Sequence, residues 1–105
     1  MIAKVVRDGK VAVLISPGFG AGWFTWNTDH QELLFHPKIV KMVESGRQKE
    51  ITEDWVKEHL KIEIYAGGAI DLKIRWLKEG TQFKVLEYDG SESLETFEEL
   101  NLITA

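Results

Sequence analysis

Residues 16–27 contain most of the side chains whose types and spacing could do chemistry. This segment, here called the glycine loop, follows an apolar run and holds three glycines at alternate positions and two tryptophans. The glycines tolerate positive φ and let a ligand approach the main chain, so their N–H groups could hold a phosphate. The tryptophan rings offer flat faces on which a base could stack. The predicted ligand-binding residues are Gly18, Phe19, Gly20, Ala21, Gly22, Trp23, Thr25, Trp26 and Asn27.

Each part of this prediction has a structural alternative. Thr25 and Asn27 could hydrogen-bond the ring edges or ribose hydroxyls of a stacked nucleotide. Thr, Asn and Asp are also the preferred helix-capping residues, so residues 27–29 equally predict the start of a helix that runs to Phe35. The aromatic side chains of the loop could instead be core residues of a broad connection between a strand and a helix.

Three histidines invite an acid–base or metal hypothesis. The spacing of His30, His36 and His59 matches no known ligand pattern on one helix face, and the chain has no cysteine to join them. We therefore predict no catalytic residue, no metal site and no cofactor. An alternative keeps one histidine as the base of a nucleotide hydrolase, with Asp29 or Glu32 orienting its ring.

Charged residues form two groups along the chain. The acidic group predicts a solvated sheet face, with a partner-facing surface or a divalent-cation site as alternatives. The basic group could form a rim near the glycine loop and balance a phosphate. The acidic residues are Glu87, Asp89, Glu92, Glu95, Glu98 and Glu99, and the basic residues are Lys38, Lys41, Arg47 and Lys49.

Length and composition restrict the class of protein. The 105 residues are expected to form a single domain, 1–105, which a homo-oligomer would help to stabilise because small domains bury a limited share of their surface. The net charge of −4 argues against generic nucleic-acid binding, because phosphate neutralisation requires a basic stripe. No apolar run reaches the length of a membrane span or a signal peptide, so we expect no membrane association and a cytoplasmic location.

The pattern of elements predicts an α+β fold, with two or three short helices on one face of an antiparallel sheet. Asp8-Gly9 lies between two β-branched runs and predicts a hairpin of strands 2–7 and 10–15. Pro37 predicts the first residue of one helix, and Thr52 predicts the N-cap of another. Alternating residues from 70 to 97 predict a C-terminal meander of three strands, and the segment 98–105 fits either an edge strand or a helical turn.

Three stretches of the sequence resemble a family of small uncharacterised proteins found in bacteriophage genomes. They are Ile15-Ser-Pro-Gly-Phe-Gly-Ala-Gly-Trp-Phe-Thr-Trp-Asn27, Glu32-Leu-Leu-Phe-His-Pro-Lys-Ile-Val40 and Glu87-Tyr-Asp-Gly-Ser-Glu-Ser93. The resemblance spans nearly the whole chain and implies a phage context, with the cytoplasm of the host cell as the location. Small phage proteins include sponges that sequester nucleotide immune signals and inhibitors that bind host enzymes.

The preferred functional hypothesis is non-enzymatic binding, or sequestration, of a nucleotide-like molecule by the glycine loop. Such a phage protein would counter host defence signalling. The alternative is an interaction module that binds and inhibits a host protein, with the aromatic side chains of the same loop as its anchor.

Overall fold

The computed structural model describes residues 3–97, and these begin with the predicted hairpin. Strand β1 (Val6–Arg7) pairs antiparallel with strand β2 (Lys10–Ile15). The connecting Asp8 and Gly9 have φ of 53° and 76°. Positive φ at both central residues is typical of the type I′ turn, whose twist matches that of the flanking strands. The Asp-Gly signal in the sequence therefore identified this hairpin correctly.

Within residues 3–97, five strands form two antiparallel sheets rather than one sheet with a C-terminal meander. Strand β3 (Lys73–Lys78) pairs with all six residues of β2, so the first sheet has the order β1-β2-β3. Strands β4 (Phe83–Tyr88) and β5 (Ser91–Thr96) form a separate hairpin through the turn Asp89-Gly90. Strand β2 is buried along nearly its whole length, which is typical of a central strand that needs a partner on each side.

Two α-helices have the ends that the sequence predicts. Helix α1 (Pro37–Glu44) begins with Pro37 at its first turn, and the chain leaves it through Gly46 at φ 69°. Helix α2 (Glu53–Leu60) begins after Thr52, whose hydroxyl oxygen accepts a hydrogen bond from the Trp55 N–H at 3.1 Å. This bond satisfies one of the amide donors that every helix N-terminus leaves without a partner.

Several predicted elements differ from the structure. The first strand, predicted from residue 2, begins at Val6, and residues 3–5 lie outside any strand. The segment 27–35 forms a short 3₁₀ helix, Gln31–Leu34, and no side chain caps it. The side chain of Asn27 is hydrogen-bonded to the backbone of Trp23 and Tyr65 instead. The predicted third strand begins at Lys73 instead of Ile70, because residues Gly67–Asp71 form another 3₁₀ helix. Apolar residues also alternate through this 3₁₀ helix, so the sequence pattern did not show where the strand begins.

The core joins the first sheet to both helices. The larger apolar cluster contains Leu14 from β2, Ile39 from α1, Val56 from α2 and the indole of Trp23 from the glycine loop. A smaller cluster joins the other face of β2 to the β4–β5 hairpin. These contacts confirm the α+β class. No helix within residues 3–97 is long and apolar enough to cross a lipid bilayer.

Candidate functional site

A buried carboxylate occupies the inner side of the glycine loop. Glu92 of β5 is 1% exposed, and its two carboxylate oxygens accept four hydrogen bonds from residues of the loop. Oε1 accepts from the Ser16 N–H at 2.9 Å. Oε2 accepts from the N–H of Trp23 at 2.9 Å, and from the N–H and hydroxyl of Thr25 at 2.8 and 2.7 Å. The loop therefore does build an anion-binding concavity, and the chain itself supplies the anion.

The burial of Glu92 corrects the prediction that the acidic run is a solvated face. Glu87, Asp89 and Glu95 are not buried, but Glu92 belongs to the interior. Glu98 and Glu99 lie outside the described residues. The period of two along β5 carried a signal, since Glu92 alternates in phase with Leu94, which packs on the core.

The two tryptophans of the loop have different environments. Trp23 is completely buried, and its Nε1–H donates a hydrogen bond of 2.8 Å to the Leu33 carbonyl oxygen. It is therefore a core residue here and has no ring face free for a base. Trp26 is 44% exposed and stacks on Tyr65, with ring centroids 5.5 Å apart and an interplanar angle of 26°. Of the two predicted stacking faces, only Trp26 reaches the surface.

The polar side chains assigned to a ligand bind the protein instead. The Thr25 hydroxyl donates to Glu92. The Asn27 amide nitrogen donates to the carbonyl oxygens of Trp23 at 2.8 Å and Tyr65 at 2.9 Å, while its oxygen accepts from the Tyr65 N–H. Asn27 thereby ties the loop to the segment after α2. These contacts account for the residue type at both positions without a ligand.

Glycines in and around the loop make room for other groups of the chain. A Cβ on Gly18 would overlap the carboxylate of Asp71, and a Cβ on Gly22 would lie 2.7 Å from Cδ1 of the Trp26 indole. On Gly90, in the β4–β5 turn, a Cβ would overlap the backbone nitrogen of Ala21. The close approach that glycine permits is therefore made by the protein's own atoms at these positions.

Phe19, at the outer side of the loop, lies on an exposed apolar surface. Together with Leu86 and Tyr88 of β4 it borders a shallow groove of about 500 Å³. These three residues, here called the Phe19 surface, are 72%, 40% and 78% exposed. The loop is held against the hairpin by the Gly20 N–H, which donates to the Asp89 carbonyl oxygen at 2.8 Å, and by the Ser91 hydroxyl, which donates to the Pro17 carbonyl oxygen at 2.6 Å.

Three of the four predicted basic residues converge, but on a groove built by the helices. Lys38, Lys41 and Arg47 line a groove of about 260 Å³ between α1 and α2, together with Trp55 and other residues. No residue of the glycine loop contributes to its walls. The charges therefore gather as expected, at a place different from the predicted one.

The histidines are spread over three environments. Nδ1 of His30 lies 3.5 Å from Glu32, and the His59 ring stacks on Trp55. Nδ1 of His36 accepts a hydrogen bond from the Lys38 N–H at the start of α1. Partial burial of His36, aided by the positive charge of Lys38, lowers the pKa of its imidazole against a smaller opposing effect of Glu32. Within residues 3–97 no three His, Asp or Glu side chains are grouped to hold a metal ion.

A further open groove, of about 930 Å³, lies between the β4–β5 hairpin and the 3₁₀ helix Gln31–Leu34. Its walls include Lys4 and Phe97, which are close to the ends of the described chain. We assign no ligand to it.

Comparison with protein-family models, with curated proteins and with solved structures yields no match to this chain.

Proposed function

We propose that this protein is a non-enzymatic binding module that attaches to a partner protein through the Phe19 surface. The observation that carries the proposal is the exposure of Phe19 and Tyr88, at 72% and 78%, where both line one groove. Large aromatic side chains are the most frequent energetic anchors of protein interfaces. Contiguous apolar side chains on a surface usually mark an interaction site.

Hydrogen bonds hold the backbone beneath the Phe19 surface in place, and this order favours binding. The hydrogen bonds of Gly20 to Asp89 and of Ser91 to Pro17 fix the loop on the β4–β5 turn. An anchor that is ordered before binding loses less conformational entropy when the partner arrives. Each aromatic ring can also bury a large area at the cost of only two side-chain torsions.

Charge specifies the chemistry of the partner. Glu87 contributes to the groove, and Asp89 is exposed at the adjacent turn. The partner we propose presents an apolar segment with Lys or Arg side chains, which would meet these carboxylates and the faces of the two aromatic rings. The resemblance to bacteriophage proteins supports a host protein in the host cytoplasm, with inhibition as the outcome.

The test measures how partner affinity changes when the two exposed anchors are removed. A variant that removes an exposed apolar residue elsewhere is the control. A partner recovered from host lysate is purified and its affinity measured for the wild type, for F19A/Y88A and for the control Ile70→Ala, whose residue is 51% exposed outside the groove. We expect at least tenfold weaker binding for the double variant, about 1.4 kcal/mol, and no change for the control.

Two results would overturn the partner assignment. Equal affinities of wild type and F19A/Y88A would show that the recovered protein binds elsewhere. Concentration-dependent dimerisation of the pure protein that F19A/Y88A abolishes would show that a second copy occupies the surface. Sedimentation of both proteins at several concentrations measures this directly.

A second candidate function rests on the Trp26–Tyr65 ring pair. Its members are 44% and 51% exposed and already stacked, so a planar base could extend the stack. In this version the protein binds a nucleotide-like molecule without turnover and, as a phage protein, sequesters a host signal. A homo-oligomer would complete the site by adding a wall from a neighbouring protomer. Glu92 already holds the inner amides, so the phosphate must bind other donors.

A panel of mono-, di- and cyclic nucleotides distinguishes this candidate from the first. We expect a ligand of the ring pair to quench tryptophan emission and to raise the melting temperature, and Trp26→Ala to abolish both effects. The control is Trp76→Phe, because Trp76 lies on β3 and not in the ring pair. No response to any nucleotide would remove this second candidate and leave the first unaffected.

A further inference from the structure

We propose that the groove between α1 and α2 binds an organic phosphate that carries a planar ring. The phosphoryl group would lie against Lys41 and Arg47, and the ring would stack at Trp55 and His59. This site is separate from the Phe19 surface and from the Trp26–Tyr65 pair, and does not depend on the proposed function.

The charge of the groove is the first argument. Within residues 3–97 its walls carry three permanent cations, Lys38, Lys41 and Arg47, of which Arg47 is paired with Glu50 beside the groove. The whole chain has a net charge of −4, so this concentration of positive charge runs against the average of the protein. Several cations that surround one concave space attract an anion far more strongly than the same charges spread over the surface.

Hydrogen-bonding capacity is the second argument. Lys38 Nζ donates to the His59 carbonyl oxygen at 3.3 Å, which holds its ammonium group beside the groove. Arg47 donates through Nε and Nη2 to Glu50, and each bond is 2.7 Å long. The N–H groups of its Nη1 are still available to donate to a ligand. Among residues 3–97, the ammonium group of Lys41 has no ion-pair or hydrogen-bond partner. A phosphoryl group would supply acceptors for both Lys41 and Arg47.

A preformed ring platform is the third argument. The rings of Trp55 and His59 stack with centroids 4.3 Å apart and an interplanar angle of 19°. Nδ1 of His59 lies 2.9 Å from the Trp55 carbonyl oxygen, which fixes the orientation of the imidazole. Both rings line the groove, with the nearly buried Met42 beside them. Stacking on aromatic faces tolerates different planar rings, whereas the cations select those that carry phosphate.

The experiment titrates ¹⁵N-labelled protein at low salt with adenosine monophosphate, adenosine or inorganic phosphate. The indole Nε1–H signals of Trp55 and Trp26 report which ring pair is involved. We expect adenosine monophosphate to shift the Trp55 signal, adenosine and inorganic phosphate each to bind at least tenfold more weakly, and added salt to reduce the affinity.

Two matched variants test the role of charge. Lys41→Met removes the charge that has no partner and keeps most of the aliphatic side chain, so the fold is retained. Lys49→Met makes the same change in net charge outside the groove walls. We expect K41M to weaken binding of adenosine monophosphate about tenfold and K49M to leave it within about twofold of the wild type.

Different results would contradict different parts of this proposal. Absence of any Trp55 shift at millimolar adenosine monophosphate, or equal affinity of wild type and K41M, would overturn the site. Adenosine monophosphate and inorganic phosphate binding equally well would overturn the role of the ring platform. A shift confined to the Trp26 indole would also overturn this site, and would support the Trp26–Tyr65 pair instead.

Discussion

The glycine loop and the α1–α2 groove use polar groups in opposite ways. In the loop, four donors of Ser16, Trp23 and Thr25 all bind the buried carboxylate of Glu92. In the groove, Lys41 lines an open space, and its ammonium group has no ion-pair or hydrogen-bond partner among residues 3–97. The loop is rich in residues often found at binding sites, yet most of them maintain the fold. Groups that the fold leaves without partners are better indicators of binding than residue type alone.

The largest expected effect is the loss of stability on removing the Glu92 carboxylate. In Glu92→Ala four donors around the side chain lose their acceptor, at a cost of about 3–5 kcal/mol in the free energy of unfolding. Chemical denaturation of the wild type and the variant measures this difference. Glu95→Ala is the control on the same strand, since Glu95 is not buried and its ion pair with Lys84 is long, at 3.7 Å. A loss below about 1 kcal/mol for Glu92→Ala would remove the contrast between the two regions.

A smaller effect separates the two tryptophans within the loop. Trp23→Phe removes the hydrogen bond to Leu33 and part of a fully buried ring, so we expect it to lower the free energy of unfolding by about 2 kcal/mol. Trp26→Phe should cost less than about 1 kcal/mol, because the ring is partly exposed and phenylalanine can still stack on Tyr65. Equal losses in denaturation experiments would contradict the assignment of Trp23 to the core.

Alanine substitutions at Gly68 and Gly46 test whether the glycine loop is more closely packed than the end of α1. In Gly68→Ala the new methyl group would overlap the carbonyl oxygen of Gly22, so the loop must shift at a cost of about 2–3 kcal/mol. At Gly46 there is open space, and only the positive φ opposes Gly46→Ala, by about 1 kcal/mol. Melting temperatures of both variants test this order, and a more stable Gly68→Ala would show that the loop is less closely packed than described.

The smallest effect concerns pH and the start of α1. The pKa of His36 is lowered in the folded state, chiefly by burial and next by Lys38, so folding favours the neutral imidazole. Its contribution to stability is therefore complete above the unfolded pKa of 6.5 and decreases as the pH falls below that value. We expect the free energy of unfolding to decrease between pH 7 and pH 5, and His36→Asn, which retains an acceptor at the N-cap, to weaken this dependence. An unchanged dependence in the variant would assign it to other groups.

Local signals in the sequence predicted local structure well. The Asp8-Gly9 hairpin, the Pro37 start of α1 and the Thr52 cap of α2 all depend on residues within one or two turns of each other. Pairing of β2 with β3 joins residues about 60 positions apart, and many registers satisfy the same alternation.

The site was predicted less well, for the same reason. The sequence identified an anion-binding arrangement in the glycine loop but could not show that Glu92, some 70 residues later, would occupy it. The basic residues were identified as a group, whereas their position depended on how α1 packs beside α2. Residue type indicates what a side chain can do, and only the tertiary structure shows whether it is already committed.

The bonds of Glu92 to the loop also constrain the order of folding. The donors lie between 67 and 76 positions before the acceptor in the chain, so β5 must be synthesised and paired before the loop can reach its final state. Contacts between such distant residues slow folding, because the ends of a long segment must meet first. During translation the surface around Phe19 is completed only when β5 has left the ribosome.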